Sequence, residues 1–221
     1  MGIYFSFYYY STDRETVSIL KKGKRDRGVL LGPDSPYSPV PGPHDTIFKR
    51  RAKQLSNLID KRRSIRNYDT GIPVTREQLN RLLEAAMLAP SACNSRPWEF
   101  IAVTKREILD EIARIHPAAG MCKTAQAAVI IVAIPQTGWP EGYFPQDCGA
   151  ATQNILLEAV SMGLGTCWCG VYPGEERIAS FRALFDIKEP KIPFNVIAIG
   201  TPAETPDRRG FFEETKVTYI E

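Results

Sequence analysis

The chain has 221 residues, 43% hydrophobic and 24% charged, enough apolar content for one packed domain with a tail. Its net charge of +3 is uneven: residues 1–66 carry 14 Lys and Arg against 6 Asp and Glu, a net +8, whereas residues 67–221 carry 14 against 19, a net −5. No run approaches the roughly 20 apolar residues of a membrane span, and five cysteines without a Cys-x-x-Cys pair speak against a disulfide framework or zinc knuckle and suit a reducing, cytoplasmic setting.

Residues 1–53 stand apart. Ile3 to Tyr10 is short and aromatic with no basic residue before it, a poor secretory leader. Lys21-Lys22-Gly23-Lys24-Arg25 is followed by Pro33, Pro36, Pro39, Pro41 and Pro43. Close-set prolines with little apolar periodicity predict a basic, loosely attached or disordered extension, or sequence ahead of a natural domain start near Leu55. The folded domain is therefore expected over residues 54–221.

From Leu55 the pattern becomes regular. Leu55, Leu58, Ile59 and Arg62 have helical spacing. Thr75-Arg76-Glu77-Gln78 has the form of a capping box, and Leu79, Leu82, Leu83, Ala86 and Met87 continue one helical face until Pro90 stops it. Trp98 to Thr104 reads as a strand and Glu107 to Ile115 as an amphipathic helix. Ala127 to Ile134 is a continuous apolar run, the mark of a strand covered on both faces. Tyr143 to Pro145 reads as a loop and Gln146 to Met162 as a long helix closed by Gly163 at C′. Thr166 to Val171 is a strand, Glu175 to Phe185 a helix and Asn195 to Gly200 the last core strand. Lys216 to Ile220 alternates, as a further pairing strand would. Interleaved helices and buried strands leave α+β and α/β both open.

Three stretches carry chemistry. Arg62-Arg63-Ser64-Ile65-Arg66 gathers three guanidinium groups and a hydroxyl beyond a short helix, a composition that suits a phosphate dianion; a solvated charge run is the plain alternative. Ala89-Pro90-Ser91-Ala92-Cys93-Asn94-Ser95-Arg96-Pro97-Trp98 is a proline-bracketed loop of small polar residues between a helix and a strand, rich in free donors. Gly163-Leu164-Gly165-Thr166-Cys167-Trp168-Cys169-Gly170 is a strand with glycines at both ends, where backbone can approach a flat ring. Ordinary loop and buried-strand readings compete for the last two. Cys167 and Cys169, two apart, read as small buried residues. His44 and His116 are the only histidines, and neither stands in a nucleophile motif or at metal-ligand spacing. There is no Gly-x-Gly-x-x-Gly and no Walker loop, so a nicotinamide would have no Rossmann crevice of its own.

Together these stretches resemble the nitroreductase family of flavoproteins. RRSIRNYD (Arg62 to Asp69), LAPSACNSRPWEF (Leu88 to Phe100), CGAATQNILLEAVSMGLGTCW (Cys148 to Trp168) and VIAIGTPAETP (Val196 to Pro206) carry the likeness, in this order, from about Leu55 to the end of the chain. The resemblance implies an α+β sandwich with a small mixed central sheet flanked by helices, interlocked as a homodimer around two tightly bound FMN molecules. It places Arg62, Arg63 and Ser64 at the phosphate end and Arg66 at the pyrimidine side, as the stabiliser of negative charge on the reduced ring. Pro90, Ser91, Ala92 and Asn94 look like the strip supplied by the other subunit. Cys169 and Gly170 match the backbone contacts to N5 and O4, and Arg208 or Arg209 the late basic residue at the phosphate. Many members place an acidic residue where this chain has Cys169. The lid elements of dehalogenating or flavin-fragmenting relatives find no match here. The implied activity is a ping-pong cycle: NAD(P)H, a transient co-substrate, gives a hydride to flavin N5, and a nitroaromatic, quinone or similar flat acceptor takes two electrons, with no catalytic side chain beyond the charge stabiliser and no metal. Alternatives are a specialised flavoprotein of the same fold, of the reductive dehalogenase or azoline oxidase type, and a nucleic-acid-binding or scaffold protein acting through the basic N-terminal segment. Neither a membrane nor a nucleic acid is expected as partner on the main reading.

Overall fold

The structure, a computed structural model, describes residues 57–207 and 209–221. The expectations for residues 1–53 lie outside them. Residues 57–61 are helical, in agreement with the helix predicted from Leu55, whose first residues lie outside the described ones. The elements that follow are β1 (Tyr68–Asp69), α1 (Arg76–Met87), β2 (Trp98–Val103), α2 (Arg106–Ile115), β3 (Ala127–Ala133), α3 (Phe144–Ser161), β4 (Gly165–Gly170), α4 (Glu175–Phe185) and β5 (Ile192–Pro202). Short 3-10 turns lie at Ala92–Asn94, Pro117–Lys123 and Glu214–Lys216.

Local chemistry accounts for most boundaries. The Thr75 side chain accepts from Gln78 N and the Gln78 side chain accepts from Thr75 N, the reciprocal capping box that starts α1. Helix α3 begins at Phe144, two residues earlier than expected, because Pro145 in the first turn lacks only an N–H that no helical carbonyl would receive. At its other end Gly163 takes φ 72°; Gly163 N donates to Val160 O and Leu164 N to Ala159 O, the paired bonds of a Schellman stop.

β5 is the central strand. It pairs with β3 along one side, and with β4 and then β1 along the other, while β2 pairs β3 at the far edge. Every strand pair among the described residues is antiparallel, so the expected mixed sheet is corrected. The parallel contact that remains is the isolated bridge between Ser64 and Thr166. One bridge is all that so short a run can make before Tyr68 turns to join β5. The tail from Val217 onward forms no strand among the described residues, contrary to its alternation.

Alternation along the strands divides the core in two. Ala128, Ile130, Val132, Val196 and Ala198 face α2, α4 and the Pro117–Lys123 turn, packing with Leu109, Ile112 and Phe181. Ala127, Val129, Ile131, Ile197 and Ile199 face α1 and α3, packing with Leu79, Leu82 and Ile155. The fold is an α+β sandwich of one antiparallel sheet between two helical layers. The apolar run of β3 is buried on both sides, as its composition predicted.

Candidate functional site: a cationic hollow beside the open edge of β4

The run Arg62 to Arg66 is held in place by its one apolar member. Ile65 is buried, and its N–H donates to Thr166 O at 2.9 Å, tying the run to β4. Gly165 makes room for it: a Cβ there would lie 2.8–2.9 Å from three atoms of Ile65. The buried Tyr68 hydroxyl donates to Ile65 O at 2.7 Å and fixes the turn from below, and burial raises its pKa.

With Ile65 pointing inward, the polar neighbours line the surface. Arg62, Arg63, Ser64 and Arg209 border two adjoining hollows of about 580 and 280 Å³. The larger also meets Gln153, Trp168 and Phe211, and the smaller meets Arg66 and Glu204. Among the described residues the Arg62 guanidinium has no hydrogen bond or ion pair. Arg63 is committed to backbone, with Nε on Asp207 O at 3.0 Å and Nη1 on Arg62 O at 2.6 Å. Arg66 Nη1 reaches Ser64 O at 3.5 Å. Arg209 is at the hollow; Arg208 lies outside the described residues.

Glu204, inside the terminal motif, was given no role by sequence reasoning. Its carboxylate accepts from Arg66 N, from Asn67 N at 3.1 Å and from Asn67 Nδ2 at 2.9 Å. The Arg66 backbone N–H, above all, holds its pKa below the usual carboxylate value. The single acid of the smaller hollow besides Asp207 is thus engaged by backbone amides rather than by the guanidinium groups. An acid two residues after a strand-ending proline is too common a pattern to have flagged it.

β4 presents an open edge next to this hollow. Ile65 N binds Thr166 O on the outer side, while Val171 N binds Phe194 O on the β5 side. Alternation between these two anchors puts the amides of Trp168 and Gly170 at the edge and that of Cys169 in the β5 ladder. The Cys169 side chain is buried and its Sγ donates to Ala118 O at 3.1 Å, so its thiol belongs to the core. Its side-chain hydrogen bond with Cys167, and after that burial, raise its pKa. Burial likewise pushes the Cys122 and Cys148 thiols up to about 12, in keeping with these two as inert packing. All five cysteines are free.

The Pro90 to Asn94 loop is elsewhere on the same chain. Asp147, in the first turn of α3, is buried, and its Oδ1 accepts from Ala92 N at 3.0 Å. Gln153 and Leu156, which border the larger hollow, lie up to nine residues further along α3, about 13 Å at 1.5 Å per residue. Ser91 Oγ accepts from Arg96 N at 2.9 Å, and Asn94 N donates to Ser91 O at 3.0 Å. Cys93, Asn94 and Arg96 all take positive φ, 51°, 53° and 48°, a strained shape for non-glycine residues. Pro90, Ser91, Ala92 and Asn94 line neither hollow. Within one chain the structure joins the arginine run, Arg209 and the β4 edge, and leaves this loop apart.

Among the described residues no cluster of His, Cys, Asp and Glu could hold a metal, and no helix is long and apolar enough to cross a membrane. Comparison with known proteins agrees with the motifs. The profile of the Nitroreductase family matches residues 59–133 and 115–201. A provisionally named NADH dehydrogenase/NAD(P)H nitroreductase of Methanothermobacter thermautotrophicus is 46% identical over 160 residues, 72% of this chain and 83% of the relative. The crystal structure of a provisionally named NADH dehydrogenase/NAD(P)H nitroreductase from Parabacteroides distasonis superposes with a TM-score of 0.71 at 35% identity, covering 76% of this chain and 98% of that one. That of a provisionally named nitroreductase in complex with FMN from Desulfovibrio desulfuricans has a TM-score of 0.66 at 26% identity, covering 76% and 96%. The antiparallel sandwich, the ordered motifs and these matches together establish that the chain belongs to the nitroreductase family and is an oxidoreductase.

Proposed function

We propose that the protein is an FMN-dependent NAD(P)H oxidoreductase that passes two electrons to nitroaromatics, quinones or similar flat acceptors, working as a homodimer in the cytoplasm. The observation that carries this reading is the gathering of Arg62, Ser64 and Arg209 around one hollow beside the open edge of β4. The residues present fit the cofactor. A half-buried guanidinium without a partner among the described residues suits the phosphate, and its pairing would be charge-assisted. Gly170 N–H, free at the strand edge, suits a ring acceptor, and the missing Cβ lets the ring come close.

FMN, when bound, supplies the hydride-accepting chemistry; the protein supplies position and charge. Arg62, Ser64 and Arg209 anchor the phosphate, and Arg63, spent on Asp207 O and Arg62 O, shapes the floor. Arg66 brings positive charge to the side where reduction leaves negative charge. Trp168 and Phe211 give the larger hollow apolar walls. In this reading Pro90, Ser91, Ala92 and Asn94 serve the site of the other copy, which accounts for their distance from the hollow of their own chain. No side chain need exchange a proton with the acceptor. The relative solved with FMN supports the choice of cofactor.

The test is the visible spectrum of the purified protein, with FMN added if it emerges colourless, followed by NADH and then NADPH without oxygen. A flavin spectrum bleached by either nucleotide is expected. A protein that takes up no FMN overturns the reading, and one that holds FMN unbleached by both loses the NAD(P)H half. A panel of nitrofurans and quinones then checks the acceptor class, and turnover of neither moves the assignment to a specialised reaction. The nucleic-acid reading rests on residues 1–53, outside the described residues.

A further inference from the structure

His116 is buried at the junction of α2 and the Pro117–Lys123 turn, and its hydrogen bonds fix its tautomer. Ala118 N–H can only donate, and it meets Nδ1 at 3.2 Å. Gly170 O can only accept, and it meets Nε2 at 2.9 Å. The proton therefore sits on Nε2 and the lone pair on Nδ1. The circuit closes on itself, since Ala118 O accepts from Cys169 Sγ at 3.1 Å. Two consecutive residues at the tip of β4, Cys169 and Gly170, are thus gripped by the His116–Ala118 pair. Phe181 meets the imidazole edge-on, with ring centres 6.0 Å apart.

A histidine that only filled the core would not need to reach the one exposed peptide at the end of the strand. Gly170 has no Cβ to restrict its backbone. Its N–H and C=O both lie on the open side of β4 by the alternation established above. A free carbonyl there would direct the negative end of its dipole toward a ring that gains negative charge.

We propose that His116 is a positioning residue: through Gly170 O it fixes the edge peptide of β4 and offsets a carbonyl dipole that would oppose reduction of a flavin at that edge. This rests on the reading of the β4 edge as a flavin contact. The full-length wild type, His116→Phe and His116→Gln are compared with FMN as the probe. Three quantities are read: FMN affinity by quenching of its fluorescence, thermal midpoint, and flavin reduction potential against a reference dye without oxygen. His116→Phe is expected to keep FMN within a few-fold and to shift the reduction equilibrium about tenfold toward the oxidised form, about 30 mV for two electrons. His116→Gln, which retains an N–H donor, is expected to recover most of that shift. An unchanged potential in His116→Phe, whatever its thermal midpoint, reduces His116 to a structural clip and overturns the proposal. If His116→Phe does not fold, His116→Asn takes its place, its shorter amide falling short of Gly170 O, and equal potentials in the Asn and Gln variants overturn the proposal equally. A wild type that takes up no FMN fails the cofactor reading itself, and the proposal with it.

Discussion

Two regions flank helix α3, and each is held by a carboxylate, but in opposite surroundings. At the start of α3 the buried Asp147 grips Ala92 N in a loop with three left-handed residues. Beside the second half of α3 the half-buried Glu204 grips the backbone of Arg66 and Asn67 in an open cationic hollow. A bond to a buried charge keeps its strength, and loss of one partner strands the other. A half-buried carboxylate at the border of an open hollow still shares its partners with water, and screening leaves it a smaller part in stability. The loop is therefore built to keep a strained shape, and the hollow to leave its guanidinium groups available to a ligand.

The strongest way to break this contrast is Asp147→Ala. It leaves Ala92 N–H without its acceptor and releases the left-handed loop, and should cost about 2–3 kcal/mol in chemical denaturation. A loss no larger than that of an exposed substitution would show that the loop holds itself. Next comes Arg62→Ala in the hollow. It should weaken FMN binding about tenfold to a hundredfold, the scale of a charge-assisted hydrogen bond, and leave the unfolding midpoint of the FMN-free protein unchanged. A fall in stability with affinity intact would reverse the assignment.

Gly165→Ala sharpens the comparison by attacking the anchor of the hollow rather than its charges. The added Cβ meets Ile65 at 2.8–2.9 Å, and overpacking of this kind costs about 1–2 kcal/mol while loosening the Ser64 run. Unchanged stability and unchanged FMN affinity would mean that Ile65 yields freely. The smallest effect is expected from Glu204. Its folded pKa is lowered, so its contribution is present above the ordinary carboxylate pKa and is lost as pH falls through the lowered value. Glu204→Gln should flatten that acid limb in a pH series of the unfolding midpoint and change little at neutral pH. An acid limb equally steep in the variant would assign it to another group.

The motifs were legible wherever local chemistry sufficed. The capping box at Thr75, the two-sided burial of β3 and the Gly163 stop follow from side chains and backbone within a few residues, and the structure reproduces them. The cluster Arg62 to Arg66 was visible as charge, and Ile65 as its one apolar member. Glu204 and Asp147 were not legible as partners. Each acts on residues far away in the chain, Glu204 on Asn67 and Asp147 on Ala92, and nothing in its own neighbourhood sets it apart. The Lys216 to Ile220 alternation misled because period two records a capacity to pair, whereas a ladder needs an edge to receive it.

By itself the sequence determined most of the long helices and strands, the two-sided burial of β3, and that a set of guanidinium groups would stand together near Ser64. It could do so because periodicity, capping and charge spacing act over one or two turns of chain. Only the tertiary structure decided that the sheet is antiparallel, that the Cys169 amide joins the β5 ladder while Gly170 meets the open edge, and that His116 reaches across 54 residues to hold that edge. Pairing direction and long-range hydrogen bonds depend on which strands become neighbours, and that choice is made by the whole core at once.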